Sequence, residues 1–169
     1  MEGLIVWNNS SKFGLNCVIV DPRGQKLKRW QSKLLKKNPN LSPPQHIQDL
    51  FNEYFFAKHS LDTSDIRLVV GLHPDEATEP LVDYSVQFSL DFAVIPCCVF
   101  SKDFPERRLR TGEEPTSYPQ FCQFLSEKCE GVRSQLLPFM GRNKVLYKKS
   151  WFKYFREDGV SWLSFIQRK

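Results

Sequence analysis

Three short apolar runs, each cut off by a turn, constrain this chain more than any other feature: CVIVD at 17–21, RLVVGL at 67–72 and FAVIPCCVF at 92–100. Runs of this length without polar alternation read as strands buried on both faces, the usual condition of parallel strands. Asp21-Pro22-Arg23 closes the first, His73-Pro74-Asp75 the second, and Pro96, which cannot donate to a ladder, ends the third just before Cys97 and Cys98.

Between the runs the apolar residues recur at helical spacing. Gln25 to Lys37 carries Leu27, Trp30, Leu34 and Leu35 among Lys26, Lys28, Arg29, Lys33, Lys36 and Lys37, a solvated amphipathic helix or a nucleic-acid patch. After the proline-rich punctuation of 38–44, Gln45 to Lys58 predicts a second helix through Ile47, Leu50, Phe51, Tyr54 and Phe55. Glu76 to Phe88 predicts a third and Tyr118 to Lys128 a fourth, with a polar surface loop at 101–117. Arg133 to Phe139 and Lys144 to Lys149 flank Gly141-Arg142-Asn143 as a hairpin. Strands alternating with helices and ending in a hairpin predict an open, mostly parallel α/β sheet, with its sites outside the strands' carboxyl ends.

Composition narrows the class. Apolar residues make up 41% and aromatics 14%, too much for a disordered chain. The net charge of +5 suits a polyanionic partner. No apolar run approaches the roughly 20 residues that span a bilayer, so no membrane association is expected. Five cysteines, two adjacent, make a poor disulfide framework and point to a reducing intracellular compartment, cytoplasm or nucleus. His46, His59 and His73 are scattered and no CxxC pair occurs, so no metal is expected from spacing.

The segments VIVDPRGQKLKRWQ, LVVGLHPDEATEPLVDYSV and FAVIPCCVFSKDFPERRL, in that order, resemble a little-characterised family of S-adenosylmethionine-dependent, class I methyltransferase-like proteins. More distantly, the Leu-His and Cys-Cys motifs look like those of tRNA 2′-O-methyltransferases, which makes RNA the substrate class implied by analogy. The resemblance covers roughly residues 13 to 149 and implies a Rossmann-like sheet. In it CVIVD is the second strand, RLVVGL the fourth, FAVIP the fifth, and LLPFMGRNKVLYKK the antiparallel sixth and seventh. It implies S-adenosylmethionine as cofactor, held by Asp21, Pro22, Arg23, Leu72, Pro96 and Cys97, with His73 and Asp75 at the transfer site. Asp21 would accept from the ribose hydroxyls.

One departure qualifies the resemblance. The family's first strand and its glycine-rich loop are not recognisable in residues 1–16, where Gly3 and Gly14 stand alone and Leu4 to Trp7 looks like the remains of the following helix. The domain is therefore expected to be partial over 1–149, with an aromatic-rich segment at 150–169 docking on it. A missing first strand, which in this fold lies between the second and fourth, would leave two apolar edges unpaired and the chain marginally stable, unless residues 4–7 fill the gap as a strand. Whether such a chain is an enzyme, a non-catalytic relative binding RNA or protein, or a fragment stays open at this point.

Bland roles compete for each residue. Asp21 also suits a turn before Pro22, His73 a plain hydrogen bond, and Asp75 the cap of the helix that follows. Cys97 and Cys98 suit the lining of a pocket as well as a thiol or metal chemistry, since adjacent strand residues point apart. Arg107 and Arg108 suit either phosphates or pairing with Glu106, Glu113 and Glu114.

Overall fold

The computed structural model describes residues 4–8, 16–24, 29–39, 43–52 and 54–149. The segment expected to dock at 150–169, residues 25–28 of the first expected helix, and the isolated Gly3 and Gly14 lie outside them.

Among the described residues seven strands form one sheet, in the order β3-β2-β1-β4-β5-β7-β6. They are β1 (Leu4–Asn8), β2 (Asn16–Val20), β3 (Gln45–Ile47), β4 (Leu68–Leu72), β5 (Asp91–Ile95), β6 (Arg133–Leu136) and β7 (Lys144–Lys148). Among the described residues four α-helices accompany them: α1 (Arg29–Lys37), α2 (Phe55–His59), α3 (Thr78–Gln87) and α4 (Tyr118–Glu127). The protein is thus mixed α/β.

The expectation of a mostly parallel sheet is corrected by the ladders. Only β2–β3 and β4–β5 are parallel; β1 runs antiparallel to both β2 and β4, and β7 to both β5 and β6. The expected gap is also filled. Leu4 to Trp7 is not a helical remnant: Leu4 pairs with Val20 on one side and Gly71 on the other, and Trp7 with Cys17 and Leu68. The sequence LIVW is β-branched and aromatic, the composition that fits a pleated sheet, and two open ladders offered it backbone partners on both sides.

The expected helix over Gln45 to Lys58 is replaced by β3, an irregular stretch and the short α2. Two side chains capture backbone donors that a helix needs: Asp49 Oδ1 accepts the Leu50 N–H at 2.9 Å and Asn52 Oδ1 the Tyr54 N–H at 3.1 Å. Val18, Ile19 and Val20 take Gln45, His46 and Ile47 into a parallel ladder. Of the five residues expected on the helix's inner face, Leu50 and Tyr54 are 61% and 69% exposed.

α3 and α4 form where periodicity predicts them. Ser117 caps α4 reciprocally with Gln120, while Pro119 occupies the first turn, where its missing donor costs nothing. The main core gathers Val20, Phe55, Phe56, Val69, Leu81, Val82, Phe92, Val94, Phe121, Leu125 and Leu146. A second cluster, Ala93, Ile95, Leu137 and Val145, lies against the alternate residues of β5 and β7. β5 is therefore covered on both faces, and its carboxyl end opens into the loop carrying Pro96, Cys97 and Cys98. Gly71 lets α3 approach β4: a Cβ there would stand 2.6 Å from Leu81 Cδ1 and 3.0 Å from Pro74 Cγ.

Candidate functional site at the carboxyl edge of the sheet

The loops after β2, β4 and β5 meet at one edge, because β4 and β5 run parallel with Leu72 opposite Ile95 and β2 ends in register with Gly71 through Leu4. Leu72 is half-buried in the second core cluster, and Pro96 is fully buried at the mouth of β5.

Asp21 follows β2 directly and is 2% exposed. Its backbone N–H continues the ladder to the Ile47 carbonyl at 3.2 Å. The carboxylate is gripped by Arg23: Nε donates to Oδ1 at 3.0 Å, Nη2 to Oδ2 at 2.8 Å, and the Arg23 backbone N–H to Oδ1 at 2.9 Å. This is a fork-to-fork pair closed over a two-residue turn, and Pro22 between them supplies the bend. The ion pair raises the Arg23 guanidinium above its ordinary range, chiefly through the Asp21 hydrogen bond, with Asp75 adding to the field.

His73 and Asp75 both adopt left-handed backbone, φ 49° and φ 51°, on either side of buried Pro74. Two such residues so close are a local strain that only surrounding structure maintains. His73 is held at both ends, its backbone N–H on the Ile95 carbonyl at 3.0 Å and its Nε2 on the Arg142 carbonyl at 2.9 Å. A carbonyl only accepts, so Nε2 carries the proton and Nδ1 alone is left for any base role. The plain hydrogen-bonded role is thus present in His73, which ties the β4 loop to the β6–β7 turn. That turn is set by Asn143, whose Nδ2 donates to the Leu137 and Phe139 carbonyls at 2.7 and 2.8 Å, with Gly141 at φ 91°.

Asp75 does not cap a helix with its carboxylate. Neither the 3₁₀ turn Asp75–Ala77 nor α3 has a side-chain cap at its start; the carboxylate reaches instead to the loop after β5. There Oδ1 accepts from the Cys97 thiol at 3.0 Å. Burial first, and this hydrogen bond second, push the Cys97 thiol up to about 12. An activated nucleophile needs the opposite shift, so the thiol and its Asp75 partner favour a protonated, structural Cys97 over a nucleophile. Cys98 is exposed beside it. Since β5 ends at Ile95, the alternation of a strand no longer separates the two cysteines, and a carboxylate oxygen of Asp75 and both sulfurs lie within 4.8 Å of one another.

The loop at 101–117 contains residues that the sequence left undecided. Arg107 is 3% exposed and pairs with Glu79 Oε2 at 2.6 Å, under Phe104 with its guanidinium carbon 3.9 Å from the ring centroid. Lys128 joins the same carboxylate and Asp83, fastening the loop to α3 and α4. Arg108 donates to the Pro105 and Arg107 carbonyls, and Arg110 to Glu127. None of the three uses Glu106, Glu113 or Glu114 in these contacts, and buried Arg107 offers no phosphate grip. No sequence signal pointed to Glu79 as its partner, because the pair is 28 residues apart.

No helix among the described residues is long and apolar enough to cross a membrane. No family model, curated protein or solved structure matches the chain.

Proposed function

We propose that this protein is a non-catalytic relative of the class I methyltransferases, a binding module that takes RNA on a basic face. The grip of Arg23 on Asp21 carries the non-catalytic part. A ribose diol would have to donate to a carboxylate whose two oxygens already accept from a guanidinium fork. The slot beside it adds to this. In the resembled fold the first strand leaves at this edge into a glycine loop, whereas β1, being antiparallel, has its amino-terminal residue Leu4 at this edge. The described residues therefore do not make the cradle that S-adenosylmethionine requires, and no transfer step is derived through it.

Relation to that family is supported by a strand in the slot between β2 and β4, by the antiparallel β6–β7 hairpin, and by the convergence of the three motif-bearing loops. RNA as partner is supported by α1, whose Arg29, Lys33, Lys36 and Lys37 are exposed at spacings of three and four, hence on one side. Four cations that each neutralise a phosphate release counterions, so affinity for single-stranded RNA should fall with salt at a log–log slope of about −3.

The convergence of Asp21, His73, Asp75 and Cys97 on one edge favours a second reading, an active methyltransferase in which half-exposed Arg23 swings off Asp21 as cofactor arrives. Calorimetric titration with S-adenosylmethionine and S-adenosylhomocysteine separates the two, beside fluorescence anisotropy of an RNA oligonucleotide across salt. No cofactor heat, with RNA binding that weakens in Lys33→Glu/Lys36→Glu, is the expected result. Micromolar cofactor binding with a raised melting temperature would transfer the conclusion to the enzyme, and absence of salt-dependent RNA binding would remove RNA as partner.

A further inference from the structure

We propose that Asp75, Cys97 and Cys98 form a binding site for one thiophilic divalent cation of the zinc type. Ligand spacing along the chain predicts no metal, and metal chemistry at Cys97 and Cys98 was only one open reading; Asp75 joins them from the loop after the neighbouring parallel strand. Its geometry stands whether or not the chain binds RNA or a methyl donor.

The donor set is the soft-plus-hard mixture that zinc takes, two sulfurs and a carboxylate oxygen. With metal–sulfur bonds of about 2.3 Å, ligands on a tetrahedral ion stand roughly 3.7 Å apart. The three donor atoms already lie within 4.8 Å of one another, and Cys97 Sγ is 3.0 Å from Asp75 Oδ1. An ion entering between them takes the place of the proton that thiol and carboxylate now share, and the second thiol sheds its proton as well, so binding releases protons to solvent.

The backbone holds the donors in this arrangement from both sides. Pro96 ends β5 and frees Cys97 and Cys98 from the strand's alternation, while the carboxylate of left-handed Asp75 reaches to the loop after β5. His73, also left-handed and anchored to Ile95 and Arg142, fixes the other end of that loop. Strain kept at a site of this kind is characteristic of functional loops. Two thiolates and a carboxylate around a divalent ion leave one net negative charge. Among the described residues no fourth ligand joins the set, and Cys98 is exposed, which leaves the fourth position to water or another solvent-borne group. Three protein ligands with one open position is the arrangement in which zinc takes water or a substrate group.

The test uses the full chain, reduced and stripped of metal, titrated with cadmium and followed by thiolate-to-metal charge-transfer absorption, with zinc as competitor. One equivalent should bind and zinc should displace it. Cys97→Ser and Cys98→Ser should each weaken binding at least about tenfold, and Asp75→Asn, which keeps both sulfurs, by about tenfold as well. The proposal is overturned if the wild type gives no charge-transfer band, or if Cys97→Ser/Cys98→Ser retains one equivalent, which would assign the metal to Cys17, Cys122 or Cys129. Should the variants fail to melt cooperatively, alkylation of the wild type decides. Zinc should protect Cys97 and Cys98 from iodoacetamide, read peptide by peptide, and unchanged labelling of exposed Cys98 would sink the site.

Discussion

The two halves of the sheet are built differently. In the half formed by β4, β5 and β7, strands are covered on both sides: Phe92 and Val94 enter the main core while Ala93 and Ile95 enter the second cluster. In the half formed by β1, β2 and β3, β3 contributes one buried residue, Ile47. The segment that follows β3 adds an aromatic group, Phe51, Phe55 and Phe56, which meets Tyr84 of α3, with Phe56 and Tyr84 stacked at 3.7 Å. A strand buried on two sides has no room to relax, whereas an aromatic group beside an irregular segment can close over a loss. The first half is thus the stiffer platform, and it is the half that carries Asp75, Cys97 and Cys98.

Removing the same side chain from each half is the strongest way to break this comparison. Phe92→Ala should cost about 5 kcal/mol and Phe51→Ala nearer 3 kcal/mol, the two ends of the range for large buried aromatics, because cavity collapse offsets part of the loss. Both are read as shifts in urea midpoint at unchanged slope. Phe92 is 1% exposed and Phe51 6%, so burial alone does not separate them; an equal or inverted cost would show that the aromatic group is as rigid as the strand.

Adding a methyl sharpens the contrast from the other direction. Gly71→Ala in β4 drives a Cβ into Leu81, Pro74 and Val94, where overpacking costs about 1–3 kcal/mol. Gly24→Ala, just beyond β2, meets only Gln48 Oε1 at an ordinary 3.7 Å, and should change stability by no more than about 0.5 kcal/mol. Parallel thermal melts check both. A mild Gly71→Ala would mean that α3 can lift from β4, and the rigidity argued for the metal-site half would then be lost.

The same division decides what was legible in the sequence. The run FAVI announces β5 and the punctuation at Pro96 its end, because burial on both sides leaves no polar position and two-sided burial is written residue by residue. The hairpin was legible through its Gly141-Arg142-Asn143 turn and α4 through the helical spacing of 118–128, signals that act within a few residues; the Ser117–Gln120 cap that starts α4 was not read from the sequence. The other half was misread for two separate reasons. Ile47, Phe51 and Phe55 recur every four residues and all are buried, yet Asp49 and Asn52 divert the backbone donors that a helix needs, and apolar periodicity does not see that competition. Leu4 to Trp7 was read as helix from a resemblance, against its own β-forming composition. At the site, the three loops were correctly grouped on one edge. Their contacts, Arg23 on Asp21, Cys97 on Asp75, His73 on Arg142, depend on strand register and left-handed backbone, which no local pattern reports. The Glu79–Arg107 pair was invisible for the same reason.

The smallest expected effect lies in the aromatic half, where Asp49 holds the segment between β3 and α2. Its carboxylate accepts from Lys58 Nζ and His59 Nε2, both at 2.7 Å, and from the Leu50 N–H. The Lys58 hydrogen bond first, and then that of His59, lower its pKa to about 2, against about 3.9 in an unfolded chain. A carboxylate depressed in the folded state binds fewer protons there than when unfolded, so its contribution is complete above pH 4 and fades as pH falls from about 4 to about 2. Asp49→Asn removes that contribution. The melting temperature of the variant should lie slightly below that of the wild type near neutrality, and the gap should close between pH 4 and pH 2. Solvent screens these groups, so raised salt should narrow the gap at neutral pH as well. A gap that instead persisted at pH 2 would show that Asp49 acts through the neutral Leu50 turn rather than through its charge. The irregular segment would then owe its shape to backbone capture alone, the same competition that displaced the helix.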